Sequence, residues 1–87
     1  MLTSEQIRAA RAMLRMEQKE LAERADVSLP SIKRLEGMEG EITSVRVVTL
    51  NAIKSALEAA GVTFIDAGAA SAAGGAGVRL TAPQAEE

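Results

Sequence analysis

Lys33 and Arg34 are the residues of this 87-residue chain whose type and setting point most directly to chemistry. They stand side by side in QKELAERADVSLPSIKRLE, residues 18–36. At helical period their register is opposite that of Ile32 and Leu35. If the two aliphatic residues turn inward, the ammonium and the guanidinium turn outward. Lys33 then offers a point charge suited to phosphate, and Arg34 a planar fork that can bond a base edge bidentately. A solvated helix face would carry the same two charges. The elements that hold them must therefore decide between the readings.

Other chemistry is sparse. The chain has no Cys and no His, which excludes disulfides, thiol nucleophiles, imidazole bases and Cys/His zinc sites. Its acidic residues show no spacing that marks a metal site or an acid/base couple. No enzyme activity and no cofactor are expected. Phe64 is the single aromatic residue, so a sheet that reads RNA by stacking is excluded too. Net charge is −2, unusual for a compact DNA binder. Residues 1–36 hold seven basic and six acidic side chains (+1), and residues 37–87 hold three and six (−3). The basic excess sits in the half that carries Lys33 and Arg34. No apolar run near the N-terminus suggests a signal peptide or membrane span, and a cytoplasmic protein without membrane contact is expected.

Local signals lay out the positioning elements. Thr3 and Gln6 have capping-box spacing, and Leu2 and Ile7 that of a hydrophobic staple. Ile7, Ala10, Arg11 and Leu14 share a face, which predicts a first helix over about 4–15. A second is expected over about 17–25, burying Leu21, Ala22 and Ala25. After a break at Asp26-Val27, Ser28 is a good N-cap for a third, with Pro30 in its first turn and Gly37 as its stop. GMEGEITS, residues 37–44, reads as a loop. Val45, Val48, Ala52, Ile53, Ala56, Leu57 and Ala60 form the stripe of a fourth helix ended by Gly61. The β-branched run VRVVT leaves its start anywhere between 45 and 50. VTFI (62–65) and GVRL (77–80) read as an antiparallel hairpin closed by a flexible Gly/Ala loop, and 81–87 as a disordered tail.

The pattern Gln18, Leu21, Ala22, Val27, Ser28, Ile32, Leu35, Glu36 is that of a helix-turn-helix. Ala22 must be small where the third helix crosses, Val27 plugs the gap, and Ile32 and Leu35 anchor the third helix. Its other side is free to enter a major groove. Through Q-x-x-L-A…V-S-x-x-x-I-x-x-L-E, residues 3–60 resemble the phage repressor and Cro-like (XRE) family. The resemblance implies a mainly α, lambda-repressor-like bundle of four helices with a C-terminal β-hairpin. It further implies a homodimeric transcriptional regulator that binds specific double-stranded DNA, with a DNA-binding domain at 1–61 and a recognition helix at about 28–36. Carried onto matching residues, Gln18 would bind a backbone phosphate; as a glutamine near a helix start it could equally cap that helix. Ser28, Leu29, Pro30, Ser31, Lys33 and Arg34 would form the DNA-facing surface. Arg11 and Glu36 match a family pair that forms an internal salt bridge, and Arg11's place on an inner face agrees.

Three positions depart from the family. Asp26 stands where the turn commonly has Gly, although Asp tolerates the left-handed conformation. Leu29 and Pro30 cannot bond a base edge through their side chains, but could pack on a thymine methyl. Glu39 and Glu41 would repel phosphate in a loop that often approaches it. These features also suit a protein partner, so the competing reading is an antitoxin or antiactivator on the same fold. The hairpin, 62–80, is the expected dimerisation element. Val62, Phe64, Val78 and Leu80 would give it an apolar face with too little chain to cover it, and the helices would stand without it.

Overall fold

The computed structural model describes residues 2–43, 45–68 and 74–81. The middle of the expected hairpin loop, 69–73, and the expected tail beyond 81 lie outside them. Four helices, α1 (Ser4–Leu14), α2 (Gln18–Ala25), α3 (Leu29–Glu36) and α4 (Val47–Ala60), precede a two-stranded sheet of β1 (Val62–Ile65) and β2 (Gly77–Leu80). The strands run antiparallel, pairing Val62 with Leu80 and Phe64 with Val78. Ile7, Leu21, Ile32, Leu35, Ile53 and Leu57, all nearly solvent-free, fill the space between the helices. The chain is thus mainly helical with a small C-terminal hairpin.

Helix α1 begins as its sequence requires. The Thr3 hydroxyl accepts the Gln6 N–H at 3.0 Å, and Gln6 Oε1 accepts the Thr3 N–H at 2.8 Å. The same Gln6 side chain does a second job. Its Nε2 donates to the carbonyls of Ile65 (3.2 Å) and Gly77 (2.8 Å), fastening the hairpin to α1. Gln6 is buried, so water cannot substitute for the lost donor. Gln6→Glu would set a carboxylate against both carbonyls and should cost about 2 kcal/mol or more. A urea titration checks this; an unchanged midpoint would show that the hairpin is held by other contacts.

Several expectations are corrected. The hairpin is no appendage, because its face is largely covered by the chain's own helices. Val62 is buried in the common core, and Phe64 and Val78 pack against it. Only Leu80 of that face stays exposed, at 56%. Removing residues from 62 onward would therefore open the helical core rather than spare it. The 37–44 loop is also more than a connection. Ile42 is fully buried. Ser4 donates its hydroxyl to the Met38 carbonyl and its N–H to the Gly40 carbonyl at 3.0 Å. Glu5 accepts the Gly40 N–H at 3.1 Å, and its own main-chain N–H, followed by that of Gly40, holds its carboxyl below the usual carboxylate range. Gly37 ends α3 without a left-handed turn, at φ −83°. Finally, Val48 does not join the inward stripe of α4. Val47 and Val48 are exposed at 72% and 68%.

Candidate nucleic-acid interface

Helix α2 ends on Asp26, which takes the left-handed conformation (φ 56°, ψ 48°). The Val27 N–H reaches back to the Ala22 carbonyl at 2.9 Å and the Asp26 N–H to that of Glu23 at 3.3 Å, closing the helix in Schellman fashion. Asp26 thereby meets the demand that commonly calls for Gly. Ser28 follows as the cap of α3, its hydroxyl accepting the Ser31 N–H at 3.2 Å and lying 2.7 Å from the Ser31 hydroxyl. Pro30 sits in the first turn, where a missing N–H is harmless.

The packing of α3 sorts its side chains. Ile32 and Leu35 are buried in one core cluster with Leu21 and the small Ala22, and Val27 packs against that cluster. Pro30, Lys33 and Arg34 are exposed, and Leu29 and Ser31 are half-buried. The candidate surface residues of α3 thus occupy one side and its anchors the other.

A buried ionic network fixes how α3 lies. Arg11 of α1 donates Nε to Glu36 Oε2 at 2.5 Å and Nη2 to Glu36 Oε1 at 2.6 Å. Its third arm, Nη1, donates to the Met16 carbonyl at 2.9 Å. Glu36 is only 5% exposed. Its carboxylate beside the guanidinium raises the Arg11 pKa above the ordinary arginine value. The fork geometry ties the end of α3 to the end of α1 and the approach to α2.

Gln18 completes that network. Its Nε2 donates to Glu36 Oε1 at 3.0 Å. Helix α2 has Glu17 as its N-cap residue and no side-chain cap bond, so the capping reading of Gln18 does not hold. A glutamine at the first position of α2 gives no local sign of reaching a glutamate 18 residues away, which is why the sequence misses this contact.

Sequence reasoning also misses Arg46. It is exposed as the residue before α4, a helix with no side-chain cap among the described residues. Arg46 lines a groove together with Arg34, Ser31, Asp26, Val27 and Thr49. Two guanidinium groups therefore flank one cleft between the turn, α3 and the start of α4. The remaining cations divide differently. Arg24 pairs with Glu20 at 2.9 Å and Arg8 with Glu5 at 3.6 Å, both on the surface where such pairs contribute little. Glu39 and Glu41 are exposed in the loop.

A second groove, between α4 and β1, is lined by Leu2, Val47, Leu50, Phe64, Asn51 and Lys54. It is the more apolar of the two surfaces. Among the described residues no group of three or more acidic, Cys or His side chains could hold a metal ion. No helix of the described residues is long and apolar enough to cross a membrane. No protein-family model matches the chain, and no curated protein matches it in sequence.

Proposed function

We propose that this protein is a cytoplasmic, sequence-specific DNA-binding regulator with a lambda-repressor-like fold, and that α3 enters the major groove. The observation that carries the reading is the orientation of α3. Ile32, Leu35 and Glu36 are buried on its inner side while Pro30, Lys33 and Arg34 are solvent-facing on the other. A helix so anchored presents a rigid, partly cationic face, which is what major-groove readout needs. Arg34 takes the main base-edge contact, Lys33 and Arg46 hold phosphate, and the start of α2 at Gln18 lies against the backbone. The test is binding of a duplex from upstream of its own gene across a salt series. Specific binding with a steep fall in affinity as salt rises supports the reading; equal binding to unrelated duplexes refutes it.

The functional unit proposed is a homodimer joined through the hairpin, since operator readers commonly place two recognition helices on successive half-sites. The alternation of an antiparallel ladder turns the main-chain groups of Val78 and Leu80 away from β1. Those groups have no hydrogen bond outside the hairpin among the described residues. Leu80 is the exposed apolar residue of that edge. Leu80→Asp should weaken self-association about tenfold or more by removing a buried leucine while leaving the melting temperature of the fold nearly unchanged. Sedimentation equilibrium checks this, and an unaltered dimer would move the interface off β2.

One observation favours the competing reading of a protein-sequestering module. The exposed Val47 lines the apolar groove with Leu2, Leu50 and Phe64, and Val48, next to it in the chain, is exposed too, a surface a partner protein could cover.

A further inference from the structure

We propose that the first turn of α3 reads the C5-methyl group of a thymine, with Pro30 as the contacting residue. This rests on the DNA-reading function above and specifies what that helix tip recognises. The start of a helix ordinarily offers a cluster of free N–H donors suited to phosphate. Here that cluster is halved. Pro30 has no N–H, and the Ser31 N–H is taken by the Ser28 hydroxyl at 3.2 Å; the Ile32 N–H already makes the first intrahelical bond, to the Ser28 carbonyl at 3.2 Å. The Ser28 and Ser31 hydroxyls bond each other at 2.7 Å. What remains is one hydroxyl proton and the N–H groups of Ser28 and Leu29.

The side chains point the same way. The turn carries no Arg, Asn, Gln or Lys; its exposed members are Ser28 and the ring of Pro30, and Leu29 and Ser31 are half-buried. Such a tip offers phosphate fewer donors than an ordinary helix start and carries no long polar side chain to reach the edge of a purine. In the major groove the apolar feature is the thymine methyl. A proline ring is well suited to cover it, because it loses almost no side-chain freedom on burial. The same methyl occurs on 5-methylcytosine, and the proposal commits to thymine as its source.

The experiment starts with full-length protein and a library of randomised duplexes, from which the tightest-binding sequence is selected. Each thymine of that duplex is then replaced by deoxyuridine, which removes the methyl and nothing else. One thymine in each half-site should show about fourfold weaker binding on replacement, the value of one buried methyl group. That penalty should vanish in Pro30→Ala, whose helical fold is verified by circular dichroism. At the same position 5-methylcytosine should bind better than cytosine. Deoxyuridine that is neutral at every position, a penalty that persists in Pro30→Ala, or equal binding of the two cytosines would overturn the proposal. A selection that enriches no sequence would instead overturn the DNA-reading function itself.

Discussion

Glu36→Ala is expected to destabilise the fold by about 3–5 kcal/mol, the usual cost of stranding one partner of a buried ion pair. In a domain this small each kcal/mol shifts the melting temperature by roughly 4–8 °C, so a drop of more than about 12 °C should be seen. The physical cause is specific. Without the carboxylate, Arg11 keeps only the Met16 carbonyl as a partner, and Gln18 Nε2 loses its acceptor. Four elements meet at this network, namely the ends of α1 and α3, the α1–α2 link and the start of α2. A second variant separates the loss of the pair from the stranding of a charge. Arg11→Met combined with Glu36→Met removes both charges and should recover much of the stability, since apolar replacements of buried pairs are often neutral or better. Thermal melts of the two proteins decide the matter. A melting temperature for Glu36→Ala within a few degrees of the parent would mean that the pair does not organise the bundle.

Arg34→Ala is expected to weaken binding to the selected operator by about 1–3 kcal/mol and to relax discrimination at the base pair it contacts. The motive is its position. Arg34 is exposed on the face of α3 opposite the Ile32 and Leu35 anchors, and it shares a cleft with Arg46. Lys33→Ala should act differently, reducing affinity for operator and scrambled duplex alike and lowering the salt slope by about one. Competitive titration of both variants against the two duplexes gives the comparison. If Arg34→Ala left operator affinity unchanged, the proposed docking of α3 would fall.

Residues that are neighbours in the chain are where sequence and structure agree. The capping box at Thr3 and Gln6, the Ser28 cap with Pro30 behind it, the left-handed Asp26 and the stop at Gly61 each arise from a bond spanning only a few residues. Such bonds depend on residue type and spacing alone, so the sequence by itself determined where the first three helices begin and end, to within a residue or two, and where α4 ends. The start of α4, which has no side-chain cap among the described residues, it left open between 45 and 50. It also determined that Ile32 and Leu35 would be the inner side of α3, because one helical period separates them. The Arg11–Glu36 pair was legible for another reason, its match to a family pattern.

Tertiary structure decided the rest. Val48 stands five residues before Ile53, a rotation of roughly 140° at helical period, so once Ile53 and Leu57 pack inward it must leave the core. The phase of α4 is chosen by what it packs against, and a β-branched run at its start gave no independent sign. The second task of Gln6 and the inward turn of Gln18 rest on carbonyl and carboxylate partners brought near by the fold, 59 and 18 residues away. Arg46 joins Arg34 only because the approach to α4 crosses beside α3. The hairpin packs into the common core because α1 and α4 leave room there for Val62, Phe64 and Val78. No periodicity within VTFI or GVRL carries that information, since alternation specifies that a strand has an apolar face and not which surface will cover it.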